Sequence, residues 1–108
     1  MGIVKKSRES NEIIQLNNYK IGDKYANVFA KNFKKTNQKI LHLNMKNNKL
    51  QDEGAISILN NLNEYIVTID LSLNNKMGVP AYKLLGERIF SNFFRLKKLS
   101  LDNNNISK

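Results

Sequence analysis

No cysteine occurs in the chain, which excludes a disulfide framework and a thiolate metal site and agrees with a reducing compartment. Histidine occurs once, at His42. Alone and without cysteine it cannot assemble a usual zinc site, so it reads as a surface or packing residue and no metal is expected. No apolar run reaches the length of a membrane span, and the N-terminus lacks the apolar core of a secretory signal. A cytoplasmic protein with no membrane partner is therefore expected. Met1-Gly2 opens like a myristoylation signal, but Lys6 stands where that signal needs Ser or Thr. Asn105-Ile106-Ser107 is formally a glycosylation acceptor that needs a secretory route to matter.

Catalytic patterns are also lacking. There is no G-x-G-x-x-G and no P-loop, and Gly22, Gly54 and Gly78 fall at strand-to-helix connections where tight turns and close packing explain them. Adjacent Asp52 and Glu53 suit the positive end of a helix better than an acid and base pair. No catalytic residue and no cofactor is expected, and the chain reads as a non-enzyme.

What is present is a periodic pattern. In Ile40-Leu41-His42-Leu43-Asn44-Met45 the apolar Leu43 and Met45 alternate with polar neighbours at strand period, and after Leu50 the spacing of Ala55, Ile58, Leu59 and Leu62 becomes helical. So short a strand and helix cannot bury their apolar sides alone. Copies stand on both sides: Ile21, Leu50, Met77 and Ile106 occupy one position, separated by 29, 27 and 29 residues. The first copy has Ile14 and Leu16 as strand residues and Tyr25, Ala26, Phe29, Ala30 and Phe33 on a helical face. The third has Ile66, Ile69 and Leu71, then Tyr82, Leu85, Ile89 and Phe93. The fourth has Leu96, Leu99, Leu101, Asn104 and Ile106 and stops before a helix.

With Ile40, Leu43, Met45, Asn48 and Leu50 fitting L-x-x-L-x-L-x-x-N-x-L, the unit resembles a leucine-rich repeat, and the strand-helix period near 28 resembles the ribonuclease-inhibitor-like class of that family. The resemblance covers about residues 12 to 108. It implies an α/β solenoid, a right-handed horseshoe segment of about three and a half repeats with a parallel sheet on the concave side and helices on the convex side. The expected divisions are a basic lead at 1–11 and repeats at 12–38, 39–65, 66–95 and a truncated 96–108. One small domain suits a chain of 108 residues with 41% apolar content.

Two places depart from the pattern. Leu71-Ser72-Leu73-Asn74-Asn75-Lys76-Met77 carries one residue too many, so either Asn74 or Asn75 is the ladder asparagine and a bulge is expected. Tyr19 takes the asparagine position of the first repeat, so that turn is expected to be non-standard. Where it occurs, the asparagine is expected to satisfy backbone groups inside the coil from repeat to repeat, through Asn48, Asn74 or Asn75, and Asn104. The remaining asparagines, with abundant lysine and isoleucine, read as the composition of an AT-rich coding genome such as a protist's.

Solenoids need covered ends. Ile3 and Val4 are the only apolar candidates for a lid before the first repeat, while Leu99, Leu101 and Ile106 would leave an apolar, unpaired C-terminal edge to be covered by further repeats, a partner or self-association. A fragment of a longer array is the expectation favoured here.

The net charge of +9 points to an acidic partner. The excess is +5 in residues 1–38, zero in 39–65, and +2 in each of 66–95 and 96–108. A basic patch is expected from Lys5, Lys6, Arg8, Lys31, Lys34 and Lys35. Alternation assigns to the concave face Ile13, Gln15 and Asn17, then His42, Asn44 and Lys46, then Thr68, Asp70 and Ser72, then Lys98, Ser100 and Asp102. This face is polar, mixed in sign and free of the aromatic and arginine anchors that dominate many interfaces. The resemblance implies a protein-binding scaffold segment, with a cytoskeletal or ciliary axonemal setting suggested by the acidic tails of tubulin. The competing class is a nucleic-acid or ribonucleoprotein binder acting through the basic first third; the concave face itself lacks the basic stripe with interleaved aromatics expected of a nucleic-acid reader.

Overall fold

The computed structural model describes residues 4–6, 12–35 and 39–102. Their elements run β1 (Val4–Lys6), β2 (Glu12–Gln15), α1 (Gly22–Lys35), β3 (Ile40–Asn44), α2 (Asp52–Asn61), β4 (Thr68–Asp70), α3 (Val79–Ser91) and β5 (Lys98–Ser100). One sheet holds all five strands in sequence order. From β2 to β5 the pairing is parallel, and backbone hydrogen bonds such as Leu16 N–H to Asn44 O, Met45 N–H to Asp70 O and Leu71 N–H to Ser100 O, each 2.9 Å, carry the ladder past the strand ends.

Alternation divides each strand. Ile14, Leu43 and Ile69 are buried, as are Leu16, Met45 and Leu71 two residues on. They form one core with Ala26, Ala30 and Phe33 of α1, Ala55, Ile58 and Leu59 of α2, and Ala81 and Leu85 of α3. Two expected core residues lie outside it. Tyr25 is 61% exposed because its counterparts, Gly54 and Ala81, face the preceding helix, and among the described residues none precedes α1. Ile89 is 38% exposed for the mirror reason: among the described residues no helix follows α3, whereas one follows Phe33 on α1 and Leu62 at the end of α2.

The N-terminal lead contributes structure that its composition did not announce. β1 pairs antiparallel with β2, Val4 opposite Ile14 and Lys6 opposite Glu12, so the first parallel strand is not the sheet edge. An edge strand that carries Lys5 and Lys6 discourages further strand addition. Ile3, Asn104 and Ile106 lie outside the described residues. On the opposite side β5 is the outermost described strand, with Leu99 and Leu101 half-buried.

The strand-exit turns follow one scheme. Asn48 is fully buried; its Oδ1 accepts the N–H groups of Tyr19 (3.0 Å) and Ile21 (3.3 Å), and its Nδ2 donates to Leu16 O and Lys46 O. Asn74 repeats this one unit later, its Oδ1 accepting from Asn48 N–H (2.9 Å) and Leu50 N–H (3.0 Å) and its Nδ2 donating to Met45 O, Leu71 O and Ser72 O. Asn74 is therefore the ladder residue; Asn75 is exposed, and the extra residue lies between Asn74 and Met77. The turn at Tyr19 is not irregular. Asn18 and Lys20 have φ of 65° and 54°, matching Asn47 and Lys49 at 57° and 61°. An asparagine in this ladder serves the preceding repeat, so the first turn is held by Asn48 and needs none of its own.

Aspartates work in the other direction. Asp23 Oδ1 accepts Gln51 N–H (2.8 Å) at the start of α2, and Asp52 Oδ1 accepts Gly78 N–H (2.7 Å) and Ala81 N–H (3.2 Å) at the start of α3. Neither Gln51 nor Gly78 caps its own helix with a side chain. Asp52 thus satisfies the orphan donors of the next helix as well as standing at the positive end of its own. Gly54 lies inside α2, where a β-carbon would come within 2.9 Å of Asp23 Cα. Close approach of α1, not a turn, requires that glycine.

Candidate functional site

The open face of the sheet is built by register. Ile13, His42, Thr68 and Lys98 are partners across four strands, and Gln15, Asn44, Asp70 and Ser100 form the parallel row two residues on. These eight side chains line one open depression of about 220 Å³. A third row, Asn17, Lys46, Ser72 and Asp102, continues beyond the strand ends, where Asn18 N–H meets Lys46 O, Asn47 N–H meets Ser72 O and Leu73 N–H meets Asp102 O, all at 2.9 Å.

Several of these groups hold one another. His42 Nδ1 lies 2.9 Å from Thr68 Oγ1, Asp70 Oδ1 accepts Ser72 N–H at 2.9 Å, and Asn17 Oδ1 accepts Lys46 N–H at 3.2 Å. Ser72 is buried at 5% exposure, whereas Lys46, Lys98 and Asp102 are exposed. Asn44 differs from its neighbours. Its Oδ1 is buried without a hydrogen-bond partner among the described residues, a state that costs about 1–3 kcal/mol for a polar group removed from water. Cations and acids alternate over the face, so it has no single sign.

The basic patch assembles less clearly. Lys5 and Lys6 lie in β1, Lys31, Lys34 and Lys35 lie in α1, and Arg8 lies outside the described residues. Among them only Lys31 has a described side chain, and it is exposed. Among the described residues no three histidine, aspartate or glutamate side chains group as metal ligands, and no helix is long and apolar enough to cross a membrane.

Two features escaped the sequence reading. Asparagines outside the repeat motif also join neighbouring repeats: Asn47 Nδ2 donates to Asn18 Oδ1 (2.8 Å), Ser57 Oγ donates to Asn27 Oδ1 (2.7 Å) and Arg88 Nη2 donates to Asn60 Oδ1 (2.7 Å). Lys20, Lys49 and Lys76 also recur, one residue before Ile21, Leu50 and Met77, and all three are exposed. The signal for them was the same 29- and 27-residue spacing that located the apolar positions.

Residues 36–59 match the family model described as Leucine Rich repeat. No curated protein and no solved structure matches the chain. The matched residues hold β3, the Asn48 turn and most of α2, and the same strand, turn and helix stand on either side. Strands and helices alternate over a four-stranded parallel sheet, and residues 36–59 within it are similar to a leucine-rich repeat, a unit that generally serves as an interaction scaffold.

Proposed function

We propose that the open sheet face binds a protein partner, with His42, Asn44, Lys46, Thr68, Asp70, Ser72, Lys98, Ser100 and Asp102 as its contact residues. Asn44 carries the reading. Its unpartnered Oδ1 sits between Gln15 and Asp70 in the depression, where a donor from a bound chain relieves it after a small rotation. The mixed charges favour register and selectivity over raw affinity. In this reading the repeats at 12–38, 39–65 and 66–95 form a ribonuclease-inhibitor-like scaffold segment without catalysis of its own. A cytoplasmic assembly, cytoskeletal or ciliary with acidic tubulin tails among its candidates, suits the absence of cysteine and the basic excess.

Photo-crosslinking tests this directly. A benzoylphenylalanine at Thr68 should capture a discrete protein set from cell extract, and Asp70→Arg should abolish the capture while Lys83→Glu on α3 leaves it intact. Capture that is equal from position 68 and position 83, or unaffected by Asp70→Arg, contradicts the assignment.

A further inference from the structure

The rim where strands pass into helices carries a row of like charge. Lys20, Lys49 and Lys76 occupy one position in three successive repeats, and the row is tied together by Gly22 N–H to Asn48 O (2.8 Å) and by the parallel bridge between Gln51 and Lys76. Neighbouring strands lie about 4.8 Å apart, so three such lysines span about 10 Å. Among the described residues, no hydrogen bond or ion pair holds any of the three ammonium groups. The nearby Asp23 and Asp52 each commit an oxygen to the next helix start.

Residue choice here runs against backbone preference. Lys20 and Lys49 have φ of 54° and 61°, a left-handed conformation that glycine and asparagine enter more readily than lysine. Placing lysine twice where asparagine would be less strained suggests that the charge itself is used.

Two depressions lie along the row. One, of about 290 Å³, is lined by Tyr19, Lys20, Ile21 and Tyr25, with Tyr19 43% and Tyr25 61% exposed. The other, of about 460 Å³, is lined by Asn47, Lys49, Gln51, Leu73, Asn75 and Lys76. On the opposite rim the Tyr65 ring is met by two cations, Lys39 Nζ at 5.0 Å and the Arg95 guanidinium at 5.1 Å from its centroid.

We propose that this rim is a second binding surface, for an extended acidic peptide. Its carboxylates pair with the lysine row, an apolar or aromatic side chain rests against Tyr19 and Tyr25, and its backbone meets the amides of Asn47, Gln51 and Asn75. A single-stranded nucleic acid fits less well. It needs a stacking ring at successive steps, and between Lys49 and Lys76 the rim provides amides and Leu73 instead.

The test is fluorescence polarisation of the purified chain with a labelled glutamate-rich peptide containing one phenylalanine, beside a labelled oligouridylate of equal charge. A variant carrying Lys20→Asn, Lys49→Asn and Lys76→Asn is compared with one carrying Lys31→Gln, Lys83→Gln and Lys97→Gln, which loses the same charge elsewhere. At about threefold per exposed charge contact, the rim variant should bind the peptide at least about tenfold more weakly, and the control less than about twofold more weakly. The melting temperature of the rim variant should hold or rise, because asparagine suits the positive φ. Equal loss in both variants, tighter binding of the oligouridylate, or no binding of the peptide by the natural chain overturns the proposal.

Discussion

At the turn leaving β2 stands Tyr19, and at the turn leaving β4 stands Asn74 followed by one extra residue, yet both turns are regular where they meet the core. The first is regular because Asn48, a repeat later, supplies the acceptor that Tyr19 N–H and Ile21 N–H need. The third absorbs its extra residue after the ladder position, where Asn75 and Lys76 bulge outward and Met77 N–H closes back on Asn74 O at 3.2 Å. What fixes the first and second turns is the next repeat's asparagine, Asn48 and Asn74 in turn. Helix starts are fixed in the opposite sense, by the preceding helix's aspartate. Each repeat is thus held by groups it does not own, which is the nearest-neighbour character expected of stacked repeats.

Asn74→Ala and Asn48→Ala break the comparison most severely. Asn74→Ala leaves two buried N–H groups without an acceptor, at about 1–3 kcal/mol apiece, and Asn48→Ala leaves one buried and one part-buried, so losses of about 2–6 kcal/mol, the larger for Asn74→Ala, are expected in urea denaturation. That is a large part of the stability of a domain this size. Gly54→Ala tests the helix side. Its β-carbon meets the Asp23 backbone and should cost about 1–3 kcal/mol in the same assay. Gly86→Ala is the counterpart within α3: nothing lies within 4 Å of its β-carbon, so the better helix former should add about 0.5–1 kcal/mol. Smallest is Tyr19→Asn. The half-exposed Tyr19 side chain has no place in the ladder, and restoring the consensus residue should change stability by less than about 0.5 kcal/mol.

How much of this was legible in the sequence depends on the distance over which each residue acts. Alternation in β3 and the switch to helical spacing after Leu50 are local, so the strands, the helices and the outward rows His42, Asn44 and Thr68, Asp70 followed from spacing. Direction was not local. Nothing at Tyr19 reveals that its N–H is served from 29 residues away, nor does Asp52 announce that it caps α3 as well as facing its own helix dipole. The exposure of Tyr25 and Ile89 escaped for a related reason: helical spacing identifies a stripe, while burial requires a neighbouring helix on that side. β1 was hidden by its composition, because two lysines in three residues do not read as a strand until an edge is available to pair with. The lysine row shows only when charge is aligned by repeat position; taken by segment it dissolves into the general basic excess.

Amide hydrogen exchange measured by NMR on the natural chain and on Asn74→Ala tests the backward ladder most directly. In the natural chain the N–H groups of Tyr19, Ile21, Asn48 and Leu50 should all be protected. In Asn74→Ala, protection should fall first and furthest at Asn48 and Leu50, while Tyr19 and Ile21, still held by Asn48 Oδ1, keep more of theirs. Protection lost instead within the third turn itself, with Asn48 and Leu50 unchanged, would contradict the account.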